Sequence, residues 1–337
     1  MPIEVREDWL AQVTEEILEP ARRIVDPHHH FFAVNPEFPP YDLDKLWVDT
    51  ATHHVEQTVY LQCWEGYRSI GPEELKPVGE TEWVDGIAAR ARQQPQAAQI
   101  GAIIGTADLR LGARVRDVLD AHCAASTLFR GIRQIAAWDT SDTVQTMDGL
   151  ADANLYGDRD FRVGFAVMVD MGLSFDAYHY HHQTPSLTAL ARAFPGAQIV
   201  LDHLGTPLGV GPYAGRQEEI FAQWARDLAE LATCPNVSLK LGGLAMPWNG
   251  FGFENGVRPP SSDELVAKQA RYYRYAIEQF GPQRCMFESN FPVDKCAVSY
   301  AVLWNAFKKI AAAYSETEKD HLFRGTATRF YRLPSRG

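Results

Sequence analysis

No part of the chain approaches the roughly 18 consecutive apolar residues that a membrane span requires. Its first residues, Met1 to Pro20, are acidic rather than basic and apolar, the reverse of a secretory leader. They carry helical spacing and are expected to form an N-terminal helical extension over residues 1–20. Clusters of Lys and Arg are also missing: 32 basic residues face 43 acidic ones, for a net charge of −11. Affinity for nucleic acid rests mainly on phosphate neutralisation, so this balance argues against a polyanionic partner and for a small-molecule substrate. The five cysteines, Cys63, Cys123, Cys234, Cys285 and Cys296, are odd in number and contain no C-x-x-C pair. A disulfide framework is therefore not expected, and free thiols fit the reducing cytoplasm. Repeats, low-complexity tracts and linkers are absent too, so residues 1–337 read as a single domain.

What the chain does contain is an alternation. Short apolar runs at Ile24–His30, Val55–Cys63, Ala98–Ile104, Phe129–Ala136, Leu173–His179, Ile199–His203, Val237–Leu241 and Cys285–Asn290 read as strands. Between them, Thr81–Arg92, Leu111–Ala125, Pro185–Phe194, Ala214–Ala232 and Ser262–Phe280 have apolar positions at helical spacing. Strands that alternate with helices pair in parallel, and eight such units close into an α/β fold of the (β/α)8 TIM-barrel type. Two longer irregular stretches, Phe32–Asp49 and Gly242–Pro260, follow strands one and seven, placing long loops on the face where such barrels carry their chemistry.

Titratable residues gather at the strand ends. The first strand ends in Asp26-Pro27-His28-His29-His30. Regular strand alternation puts Asp26, His28 and His30 on one face, aiming two imidazoles at one point. His179-Tyr180-His181-His182, Asp202-His203 and Glu288-Ser289-Asn290-Phe291-Pro292 follow strands five, six and eight. Histidines and carboxylates in this arrangement form a site for a divalent metal, Zn, Mn or Fe.

With these motifs in this order, the chain resembles the amidohydrolase superfamily, in particular its lactonase and decarboxylase branch, from Asp26 to about Arg332. The resemblance implies that His28, His30, His181 and His203 surround a metal and that a metal-bound water hydrolyses a small lactone, ester or amide. It also calls for an acid where this chain has Asn290, and an amide cannot serve as a base near neutral pH. Glu288 is the preferred replacement, since it lies on the strand rather than past Pro292; Asp26, Asp294 and a histidine are the others. A second expectation follows from the crowding of His179, His181 and His182 together with Glu65: ligands for two ions, as in relatives that use dinuclear iron or manganese to hydroxylate with oxygen. The alternative for His179 and His182 is support of His181 or surface exposure, and it is preferred for His182. A third is a non-catalytic barrel supporting an enzymatic partner. Assembly with copies of itself or with a related barrel is expected. For substrate binding, Arg130 and Arg133 lie on opposite faces of strand four, so at most one looks inward; Arg68, Trp138, Trp248 and Phe251 complete the candidates.

Overall fold

The computed structural model describes residues 3–33 and 35–334. Eight parallel strands run in sequential order: β1 (Ile24–His29), β2 (Val55–Leu61), β3 (Gln99–Gly105), β4 (Phe129–Arg133), β5 (Ser174–Ala177), β6 (Gln198–Leu201), β7 (Val237–Leu241) and β8 (Cys285–Phe287). The two end strands meet where His30 N donates to Phe291 O at 2.8 Å and Asn290 N to His28 O at 3.0 Å. The sheet thereby forms a (β/α)8 barrel.

A short helix α1 (Glu7–Leu10) precedes the barrel, and each strand leads into a helix, the last followed by two short helical segments, Glu316–Asp320 and Thr326–Phe330. The helices after the strands are α2 (Leu43–Thr50), α3 (Val78–Ala91), α4 (Val115–Ala125), α5 (Arg159–Asp170), α6 (Thr184–Ala193), α7 (Gln217–Ala232), α8 (Ser262–Phe280) and α9 (Tyr300–Ile310). Helix α8 has the bounds expected from its periodicity, because Ser261 and Glu264 form a reciprocal cap and Gly281, at φ +76°, ends it. Helices α2, α5 and α9 escape the periodicity reading, and α2 lies within the stretch taken as irregular. Their signal is a cap: Asp42, Asp158 and Ser299 accept from the backbone N–H of Lys45, Phe161 and Val302.

The N-terminal extension departs from expectation. Of its described residues, only Glu7–Leu10 are α-helical. Tertiary partners take the place of helical hydrogen bonds: Trp9 Nε1 donates to Gly256 O at 3.1 Å, Leu18 N to Asn305 Oδ1 at 3.0 Å, and Lys308 Nζ to Leu18 O at 2.6 Å.

Alternation along the strands divides two apolar layers. Ile103, Ile132, Phe175, Ile199, Leu239 and Phe287 pack toward the helices. Val25, Val59, Leu61, Ala102, Ile104, Val200 and Met286 form the interior layer, joined by Ala327, Phe330, Tyr331 and Leu333 of the C-terminal segment. That segment seals the barrel at the strand starts, where Tyr331 O accepts from Arg130 Nε and Pro334 O from Gln57 Nε2. Burying its two aromatics and Leu333 contributes about 2 kcal/mol each, enough to keep the tail docked. The opposite end stays free for chemistry. No helix among the described residues is long and apolar enough to cross a membrane.

Candidate active site

The first strand does not alternate regularly. Its pairing with β2 shifts register between Asp26 and His29, around Pro27, which has no N–H to give. Asp26 consequently turns toward the helices, where Oδ1 accepts from Ser289 N at 2.9 Å and Oδ2 from Tyr300 OH at 2.9 Å. It ties β1 to the end of β8 and to α9, and the expectation that it shares a face with the histidines is corrected. His29 also points outward, onto Thr58 Oγ1 at 3.0 Å and against Phe31 and Tyr60. His28 and His30 do converge, with their Nε2 atoms 3.1 Å apart.

The backbone fixes the tautomer of His30. Leu61 O, which can only accept, lies 2.9 Å from His30 Nδ1, so the proton of neutral His30 sits there and the Nε2 lone pair is free. Arg133, which can only donate, approaches His28 Nε2 at 3.4 Å. The Glu288 carboxylate sits between two rings, with Oε2 2.8 Å from His28 Nδ1 and Oε1 2.7 Å from His203 Nδ1. His30 and His203 thus hold their proton at Nδ1 and a lone pair at Nε2, while His28 Nδ1 meets both Glu288 Oε2 and the Lys240 ammonium, 3.2 Å away. Burial keeps them neutral, pulling His203 down to about 3 and the other two well below the ordinary value. The His30 Nε2 lone pair faces His28 Nε2 at 3.1 Å. Two nitrogens each about 2.0–2.1 Å from one zinc ion are separated by about this much. One ligand atom from each of His28, Asp202 and His203 also falls within 4.8 Å of the others. The donor set therefore fits a divalent ion.

Two glycines make room for this cluster. A Cβ on Gly243, at φ +69°, would lie 2.5 Å from His203 Nδ1, and one on Gly242 would lie 2.4 Å from Glu288 Cγ. His203 itself is held at φ +53°. Burial pushes the Glu288 carboxyl up to about 7, with Lys240 the largest opposing influence.

Beneath the histidines lies a buried charge network whose centre, Lys240, was missing from the sequence reading. Lys240 Nζ stands 2.7 Å from Asp176 Oδ2, 2.9 Å from Asp202 Oδ1 and 3.2 Å from His28 Nδ1. Arg133 NH1 faces Asp202 Oδ2 at 3.6 Å, and Tyr331 OH donates to Asp176 Oδ2 at 2.6 Å. The sequence did carry a signal. In Val237-Ser238-Leu239-Lys240-Leu241 the apolar residues face the helices, so the polar alternates must face the barrel interior.

Above the histidines opens a narrow cavity of about 60 Å³. His30, Arg133, Tyr178, His203 and Asn290 give it polar groups, and Phe32, Ile135, Met147, Met246 and Trp248 give it apolar walls. Trp64 stands at its rim, 42% exposed. Trp248 also borders an outer cavity of about 500 Å³, shared with Thr143, Gln145 and Asn255. Asn290 donates from Nδ2 to Asp294 Oδ1 at 3.0 Å, which leaves Asp294 behind it.

The remaining candidates lie elsewhere. Strand β5 ends at Ala177 and presents Tyr178 to the cavity. His179 is bonded at both ring nitrogens, to Tyr156 OH and Thr184 Oγ1, each at 3.2 Å. His181 has passed into a helical turn, where its Nδ1 accepts from Leu208 N at 3.4 Å and its ring packs on Tyr213. His182 pairs with Asp139 at 2.9 Å. Glu65 is held through its backbone by Glu80 and does not line the cavity. Of the arginines, Arg133 is the inward one. Arg130 binds backbone carbonyls, including Tyr331 O at the closed end, and Arg68 pairs with Glu82 on the surface. Phe251 packs on Phe253 and Tyr272, and Trp138 is absent from the cavity wall.

The chain has relatives among known proteins. The amidohydrolase family profile matches residues 25–333. The uncharacterised protein y4mH of Sinorhizobium fredii is 32% identical over 331 residues, covering 92% of this chain and 98% of that protein. An L-fucono-1,5-lactonase of Burkholderia ambifaria is 26% identical over 316 residues, covering 92% and 95%. Among solved structures, an amidohydrolase of Burkholderia multivorans with bound zinc superposes with a TM-score of 0.72 at 24% identity, covering 93% of this chain and all of that one.

Proposed function

The chain belongs to the amidohydrolase family, and from that premise we propose that it hydrolyses a small lactone, or a related ester or amide, with one divalent ion held by His28, His30 and His203. The observation that carries this reading is the convergence of His28 and His30, whose Nε2 atoms lie 3.1 Å apart, with Leu61 O holding the His30 proton at Nδ1. When bound, such an ion polarises a carbonyl and lowers the pKa of a water toward neutrality. The lactonase relative supports the substrate class.

The chain's own groups do the rest. Glu288 accepts Nδ1–H from His203 and sets its other oxygen 2.8 Å from His28 Nδ1, which orients both rings and raises the basicity of His203 at Nε2. Arg133 and Tyr178 line the cavity with donors suited to the oxygen of a carbonyl that is gaining negative charge. Asn290, its Nδ2 committed to Asp294, positions substrate or water and takes no proton. The mouth cavity admits only the reacting end of a substrate, and Trp248 marks the passage to the outer cavity, where the remainder would lie.

Metal content and turnover of a panel of simple lactones test the reading together. The wild-type chain should hold one ion, and H28A should lose it while its circular dichroism is unchanged. E288Q should bind the ion about 10- to 100-fold more weakly, the range for partners that orient metal-binding histidines. Full ion content in H28A would refute the assignment.

A further inference from the structure

Lys240 is an unusual guest beneath a candidate metal site. A divalent centre is normally surrounded by neutral or negative donors, yet this ammonium stands 3.2 Å from His28 Nδ1 and 2.9 Å from Asp202 Oδ1. Its position is imposed by the sheet. Lys240 pairs in register with Met286, and Asp176 pairs with Val200; Met286 and Val200 both belong to the interior layer. Residues paired across parallel strands share a face, so Lys240 and Asp176 are both held inside the barrel. The ammonium cannot swing out: the Tyr331 ring covers it at 5.6 Å, and the Tyr331 hydroxyl joins it on Asp176 Oδ2.

The carboxylates around it are poorly served by anything else. Neither oxygen of Asp202 accepts a hydrogen bond among the described residues, and Asp176 Oδ1 and Glu288 Oε2 are likewise without one. All three side chains are completely buried. Burying a carboxylate is costly unless a positive charge is close. Here the charges within reach are Lys240 and, for Asp202, Arg133.

We propose that the Lys240 ammonium is the resident cation of this barrel: seated among Asp176, Asp202 and Glu288 below the histidines, it takes the place of a second divalent ion and holds the site to at most one. The proposal rests on the assignment of the histidines as ligands only for the address of the first ion. Asp202 then serves Lys240 rather than a metal bridge, and the ligands expected for a second ion, His179 and Glu65, are free to serve the fold.

The test counts ions. Wild type, K240A and K240R are stripped with chelator, reloaded with Mn²⁺ or Zn²⁺, and measured by elemental analysis beside circular dichroism. K240A, left with unneutralised carboxylates and a vacated space, should hold one ion per chain more than wild type. K240R, which keeps a cation, should hold no more than wild type. Equal content in folded K240A and wild type would overturn the proposal, as would two ions in the wild-type chain. If K240A does not fold, K240Q fills most of the same volume without charge and is read in the same way; the wild-type count needs no variant. Wild type with no ion and K240A with one would support Lys240 as the resident cation while refuting the metal reading of the histidines.

Discussion

Glu80, on α3, offers a quantitative check on the packing that supports the cavity wall. Its Oε1 accepts from Tyr60 OH and Cys63 N, both at 2.7 Å, and from Glu65 N at 3.3 Å, while Oε2 is buried with no partner. It therefore anchors the turn after β2 that brings Cys63 and Trp64 to the cavity. Burial dominates the donated hydrogen bonds and pushes its carboxyl from 4.5 up to about 7. Below pH 4.5 the group is protonated in folded and unfolded chains alike and contributes no pH-dependent term. As pH rises toward 7, the unfolded chain ionises while the folded one resists, so stability falls by about 1.4 kcal/mol per pH unit, about 3 kcal/mol in all. Above pH 7 the loss is constant. In E80Q the amide oxygen can keep the three donors, while Nε2 stands as an unpaired buried donor where the protonated wild-type carboxyl already has an unpaired Oε2–H. The variant should therefore lie close to wild type in stability at pH 5 and gain about 3 kcal/mol on it by pH 8. At about 2.1 cal/mol/K per residue, this is a relative shift of about 4 °C in Tm for a chain of 337 residues. Thermal melts of both proteins at several pH values measure the gap. A gap that stays flat, or moves against the glutamine, would refute the reasoning.

Two further outcomes separate site from scaffold. R133M should lower kcat/KM by about 10²- to 10³-fold, the range for loss of a donor to a developing oxyanion, whereas R130M should leave turnover intact and lower stability by about 1 kcal/mol through its lost bonds to backbone carbonyls. G243A forces a Cβ to within 2.5 Å of His203 Nδ1 at a left-handed backbone position costing about 1–2 kcal/mol; ion content and activity should fall well before the midpoint of unfolding does. Metal analysis beside melting curves reads both effects.

Much of this molecule is written locally. Each barrel strand is a short run whose neighbours are caps and turns, so the eight-fold alternation needs no knowledge of contacts far along the chain. The histidines His28, His30 and His203 are legible for the same reason, since each sits at a strand end and strand ends form the open face. The placement of single side chains depends on partners that the local pattern does not name. Regular alternation puts Asp26 beside His28; the register shift against β2 sends it to Ser289 and Tyr300 instead. His179 resembles a ligand until Tyr156 and Thr184 arrive at its two nitrogens. Lys240 makes the same point most sharply. In an isolated sheet, Ser238 and Lys240 would form the solvated face of a half-buried strand. Closing the sheet on itself removes that solvent, and a lysine with no water left to charge against must find carboxylates, which β5, β6 and the end of β8 supply from far along the chain.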